Sequence, residues 1–386
     1  MEELPGAGRA GELLKTRALR DFGPWQQSDK EIPAVSGRRL ALPPDQVPVP
    51  LLLKYALELI GLEAYGPAEK VAWWIEFAYK GDLCQLSHEK FGVRLALWSH
   101  APEEVANRTL NQIAGKLRSA TRTVEHLIAD AAPEILGHGA ATVVNQHHSL
   151  QRAYQYFRDR ALSPDVIESE QTTWDLEGGG TGTSFIDGPG RMRMNAFHDL
   201  VAALTAYLSL LEHDLVLALA FTDFDPEEDN LTKIIGDRWS EKFARVLGNQ
   251  GEAAQLRQRL AEVVERWRNP YSHGGNDKRH GASIYLHAAG IGAVPVGLTK
   301  IRDSPLFTFV PADETDVDSV FALLDEIDTW IDAKLTDALQ WIREGLAVPF
   351  SEAFREEAAA ARTAGVFAEF VRYHSYRQDM IDNMDF

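Results

Sequence analysis

Arg268-Asn269-Pro270-Tyr271-Ser272-His273-Gly274-Gly275 sets a guanidinium five positions ahead of an imidazole. Histidine is the side chain whose ordinary pKa lets it move a proton near neutral pH. A guanidinium forks onto phosphate oxygens and holds the negative charge that a phosphoryl centre gains in its transition state. Together, Arg268 and His273 suit attack of an RNA 2′-hydroxyl on the adjacent phosphodiester, which leaves a 2′,3′-cyclic phosphate and a 5′-hydroxyl. That chemistry calls for no metal and no cofactor. Lys278 and Arg279 follow closely and add positive charge for the substrate backbone. Tyr271 could stack a base, as aromatic rings do for single strands, or pack beneath the corner.

The elements that must hold these groups are legible upstream. Leu256, Leu260, Val263, Val264 and Trp267 recur at helical spacing, so residues 252–268 read as an amphipathic helix. Asn269 precedes a proline, which disfavours the α conformation, while asparagine caps helices and proline suits a first helical position. The expectation is a corner: one helix stops at Arg268, Asn269 caps, and a second starts at Pro270. The glycine pair 274–275 then lets a ligand approach the backbone. A long apolar helix over 192–221 is interrupted by Glu212, His213 and Asp214. Glu212 or His213 could line the cleft and orient Arg268 or His273, or the three could mark a solvated stripe. Glu262 and Glu265, before Arg268, divide in the same way between holding its guanidinium and facing solvent.

The string Arg-Asn-x-x-x-His-Gly between helices resembles the HEPN ribonuclease superfamily, whose signature is an arginine followed after four to six residues by a histidine, often with a polar residue next to the arginine. Here Arg268, Asn269 in the polar place and His273 match, and the resemblance spans about residues 191–345. It implies a helical bundle whose catalytic residues are Arg268, His273 and Asn269. It also implies a homodimer in which two motifs form one composite cleft, an RNA substrate, and a role as a toxin or abortive-infection effector in antiviral defence. Such nucleases are held inactive until a regulatory protein, a ligand or another signal arrives. The alternative is a catalytically inactive HEPN module that binds RNA or scaffolds an assembly.

The chain of 386 residues carries a net charge of −18, which argues against indiscriminate binding to nucleic acid. Residues 251–280 hold six basic side chains against four acidic ones, a local reversal of sign at the motif. One cysteine, Cys84, excludes an intrachain disulfide or a multi-cysteine zinc site. The first residues lack a basic-then-apolar leader, and the only long apolar segment carries charges in its middle, so no membrane span is expected and the cytoplasm is the expected compartment.

The expected fold class is mainly α: a HEPN-like helical bundle with a small β insertion, preceded by a helical N-terminal domain. The expected divisions are an irregular segment over 1–45, a helical domain of unknown role over 46–176, a glycine-rich linker or loop over 177–190, the nuclease domain over 191–345 and a helical tail over 346–386. Within the second division, 51–62, 68–79, 102–132 and 150–162 read as helices, the 68–79 stretch on the stripe Val71, Trp74, Ile75 and Ala78. Residues 231–247 and 316–345 read as single helices, with Asp229 or Asn230 capping the former. Residues 283–288, 294–301 and 306–310 read as strands.

Other motifs carry less. Arg94 and His100 have the loose spacing, but Leu95 takes the polar place. His273, His280 and His287 recur every seven residues without converging as zinc ligands do. His147-His148 reads as a surface pair. The glycine-rich stretch has no lysine to make it a phosphate-binding loop.

Overall fold

The computed structural model describes residues 4–25, 37–272, 284–290, 292–296, 312 and 314–384. They fall into two compact units, one of residues 1–138 with 372–386, the other Gly139–Val371.

The first unit overturns the expected fold class. It holds helices α1 (Ala7–Thr16), α2 (Pro50–Glu58) and α3 (Glu103–Gly137) together with strands β1 (Phe22–Gly23), β2 (Arg38–Leu42), β3 (Ala64–Tyr65), β4 (Val71–Tyr79), β5 (Asp82–Glu89) and β6 (Gly92–Trp98). These form a six-stranded antiparallel sheet in the order β1-β4-β5-β6-β2, with β3 on β4. The chain is therefore of mixed α and β structure, not mainly α. The segment expected to be a helix over 68–79 is β4. Its buried residues are Trp73, Ile75, Phe77 and Tyr79, a period of two, and the stripe Val71, Trp74, Ile75, Ala78 straddles both faces. Lys80 (φ 52°) and Gly81 (φ 94°) close a two-residue turn into β5, and positive φ at both central positions is what a type I′ hairpin requires. The lead-in is likewise not irregular throughout, since Ala7, Ala10 and Leu14 bury one face of α1. The core lies between one sheet face, with Ile75, Phe77, Leu86 and Leu95, and the apolar sides of α2 and α3, with Leu53, Leu57, Ile113 and Leu117. Cys84 is buried there and unpaired, and burial pushes its thiol up to about 12.

The second unit carries the motif. It begins with β7 (Thr142–Val143) and α4 (His147–Leu162). The stretch expected to be a linker or loop holds the turn of a hairpin, β8 (Glu170–Asp175) with β9 (Thr181–Ile186), together with β9 itself and the start of the helix after it. Gly178, Gly179 and Gly180 all have positive φ in its turn, and Gly182 lies under the Trp174 indole, where a Cβ would not fit. The division between units falls at His138–Gly139 instead. Helix α5 (Gly188–Ala218) runs on into a 3-10 turn, Leu219–Phe221. Gly188–Phe221 is long and apolar enough to cross a membrane. It is the core helix of this unit, with Phe197, Leu200, Leu204 and Leu217 inaccessible.

Around α5 pack α4, α7 (Trp239–Leu247) and the turn Val264–Arg268 that follows α8 (Gly251–Val263), with the short α6 (Leu231–Gly236) before α7. Residues 231–247 are thus two helices, broken at Asp237–Arg238. The Asn230 side chain caps the first, accepting from the Lys233 N–H at 2.9 Å. After α9 (Asn269–Ser272), β10 (Ile284–Ala288) and β11 (Gly292–Val296) form a second hairpin. The strand expected over 306–310 lies outside the described residues. The helix expected over 316–345 is two, α10 (Glu314–Lys334) and α11 (Thr336–Arg343). Strand β12 (Val348–Pro349) pairs with β7 and α12 (Glu352–Thr363) follows; α13 (Phe367–Asn383) starts in this unit and from Arg372 belongs to the first.

Candidate functional site

The helix leading to the motif does not stop at Arg268. Residues Val264–Arg268 widen into a π turn, in which the Asn269 N–H bonds to the Val264 carbonyl, and Asn269 itself is helical (φ −63°, ψ −41°). The expected cap-and-restart corner is therefore a bulged but continuous helix. Proline offers no N–H to an i→i−4 ladder and crowds the carbonyl four residues back. Opening the preceding turn to i→i+5 bonding lets the chain pass through Pro270 without breaking, and such bulges recur at functional sites. Trp267, buried on the same turn, anchors it against the core.

This geometry sets Arg268 and Asn269 in the wall of a pocket of about 610 Å³. Arg268 donates to the Asn269 side-chain oxygen at 3.3 Å. Its Nε is buried and finds no acceptor among the described residues, and there Arg268 has no ion pair. The other arginines of the helix are engaged elsewhere. Arg259 pairs with Glu326 at 2.6 Å, Arg257 donates to Asn249, and Arg266 reaches Asp316 and lies 4.3 Å over the Trp267 ring.

Glu212 and Glu265 line the same pocket, and Glu262 lies on another face beside Gln258. Glu212 accepts from Lys242 Nζ at 2.5 Å, and Lys242 is only 5% exposed. A lysine this deep is rare unless paired. His213 is not at the pocket: its Nε2 accepts from the Gln146 N–H at 2.8 Å, and burial, foremost, holds it below the usual histidine range. Tyr271 is half exposed and meets buried Phe197 edge-on at 4.8 Å, and burial raises its hydroxyl pKa. His273, Lys278 and Arg279 lie outside the described residues.

Sequence reasoning missed three neighbours. Arg238, Trp239 and Lys242 belong to the break and first turn of α7; the first two line the pocket, and the third holds Glu212. Lys242 sits beside Phe243 in an apolar stripe, and that lysine was the available signal.

It also missed a second polar cluster. His147, read as surface, is 4% exposed and donates through Nδ1 to Asp214 at 2.9 Å, while its Nε2 is buried without a partner among the described residues. Asp214, charged in the middle of an apolar helix, was the clue. The two line a cavity of about 90 Å³ with Tyr207, Asp328, Asp332 and Arg343. Among the described residues, no group of three or more His, Cys, Asp or Glu could hold a metal ion.

Asp328 accepts from the buried Tyr207 hydroxyl at 2.8 Å. Burial pushes its carboxyl up to about 6; Asp325 and Asp332 add to the rise, while the Tyr207 bond and Arg158 oppose it. The folded-state pKa stands above the unfolded one, so folding favours the protonated acid. The resulting stability is present in full below about pH 4 and lost as pH rises through about 6. Asp328→Asn keeps an acceptor for Tyr207 and carries no charge. Urea melts from pH 4 to pH 8 should show the variant gaining on the parent as pH rises, by about 2 kcal/mol, with no further gain above about pH 7. A difference that does not change with pH would refute this assignment.

Against known protein families, curated proteins and solved structures, the chain shows no match.

Proposed function

We propose that this protein is a metal-independent endoribonuclease of HEPN type. The observation that carries the reading is the Arg268 guanidinium, set by a π turn into the wall of a large pocket, with a buried N–H left unbonded and no ion pair among the described residues. A donor so placed suits a phosphate oxygen, because leaving it unmet costs free energy that a ligand can recover.

In the reaction, the 2′-oxygen forms a bond to phosphorus and the bond from phosphorus to the 5′-oxygen breaks. The proton leaves the 2′-hydroxyl and the 5′-oxygen gains one, so no water is consumed. His273 moves the proton, Arg268 holds the phosphoryl oxygens, and Asn269 steadies the guanidinium. The protein acts in the cytoplasm as a homodimer with a composite cleft, gated by a regulatory protein or ligand, in antiviral defence. The −18 charge favours gated over free action on RNA. It also favours the second reading, an inactive HEPN module that binds RNA or scaffolds an assembly.

End-group analysis of RNA incubated with the purified chain in a chelator tests the reading. Fragments ending in 2′,3′-cyclic phosphate and beginning with 5′-hydroxyl are expected. Cleavage that needs added metal, or fragments with 5′-phosphates, would refute it.

A further inference from the structure

Arg238 and Trp239 stand on the wall of the Arg268 pocket, and part of each side chain is left over from its role in the fold. The Arg238 backbone N–H donates to Glu241 at 2.9 Å to start α7, but its guanidinium is exposed and makes no ion pair among the described residues. Trp239 is partly buried against the core, and the rest of it borders the pocket. Its neighbours differ: the Trp330 ring stacks on Phe243 at 6.1 Å, and Trp267 carries Arg266. Among the described residues, no aromatic ring or cation covers Trp239. Ser209, Ser240 and Thr205 add hydroxyls to the same wall, and Lys242 neutralises the Glu212 carboxylate. The pocket thus combines two guanidinium groups, the Glu265 carboxylate, small hydroxyls and one indole that no ring or cation covers.

We propose that Arg238 and Trp239 form a nucleotide subsite of this pocket that selects single-stranded RNA. The proposal rests on the ribonuclease reading above. Arg238 takes a phosphate next to the one held by Arg268, and the Trp239 indole stacks a base. An indole can stack only on a base that has left its own stack, so a duplex, whose bases are stacked and paired, fits poorly.

The test measures binding of a short single-stranded 2′-O-methyl oligonucleotide, which has no 2′-hydroxyl to attack, and of its duplex, by fluorescence anisotropy across a salt series. Full-length parent protein, Arg238→Ala and Trp239→Leu are compared. Arg238→Ala should weaken single-strand binding about tenfold and flatten the log–log salt slope by about 0.7, the amount expected for one phosphate contact on a single strand. Trp239→Leu should weaken it about tenfold with the slope unchanged, and the duplex should compete poorly. Parental affinity and slope in Arg238→Ala, or equal affinity for the duplex, would overturn the proposal. Should Trp239→Leu fail to fold, Arg238→Ala decides alone, because its side chain is exposed. If the parent cleaves RNA and Arg238→Ala leaves KM unchanged, the subsite falls and the nuclease stands. If nothing is cleaved but binding depends on Arg238, the nuclease falls and the subsite stands.

Discussion

Arg268→Ala should lower the rate of RNA cleavage about 10³-fold and leave the unfolding temperature unchanged. One preorganised donor to a developing oxyanion is worth about 10²–10³ in rate, and a guanidinium adds full charge to that. Arg268→Lys should recover little of the loss, because an ammonium offers one point charge where a planar fork offers two parallel bonds. His273→Ala should cost at least as much, since proton transfer by a placed side chain contributes about 10²–10⁴. The thermal melt separates this role from a bland one. Were Arg268 only tying off a helix end, its loss would lower stability by about 1 kcal/mol. In the structure its one bond among the described residues is to the neighbouring Asn269, and its Nε is already unmet, so alanine removes nothing the fold needs. A variant that melts early and still cuts RNA at the parental rate would sink the assignment.

Glu212→Gln should produce the largest loss of stability, about 2–3 kcal/mol, read as a drop of about 5–10 °C in the unfolding temperature. Breaking a buried pair is costly chiefly because the remaining charge stays buried. Lys242 is that charge, 5% exposed, with Glu212 at 2.5 Å. The Glu212 side chain is 34% exposed, which keeps the figure below that for a fully enclosed pair. Lys242→Met alone should cost less, because the carboxylate it abandons reaches water. The double variant Glu212→Gln/Lys242→Met should regain most of the lost stability, since replacing both charges removes the desolvation cost together with the attraction. Parental stability in Glu212→Gln would mean that the ammonium is not as enclosed as its exposure indicates. The pair has a further consequence for the pocket: it fixes one acidic group in the wall that Arg268 shares, at a position set by α5 and α7 together.

The sequence by itself determined the motif, the amphipathic helix that leads into it, a cap at Asp229 or Asn230 and the long apolar helix with its three interrupting polar residues, because each depends on neighbours within a turn or two. It did not determine β4. Val71, Trp74, Ile75 and Ala78 satisfy a helical period and Trp73, Ile75, Phe77 and Tyr79 satisfy a strand period in the same nine residues. Only pairing with β5, β1 and β3 settles that competition, since strands are stabilised by distant partners. Nor did it determine which polar residues meet. Glu212, His213 and Asp214 are consecutive, yet successive helical positions point about a quarter-turn apart. Tertiary packing sent Glu212 to Lys242 and the Arg268 pocket, His213 to the Gln146 backbone, and Asp214 to His147. The motif is local and could be read in order along the chain. Its surroundings are a property of which helix faces which, and that is decided by the burial of all their apolar sides at once.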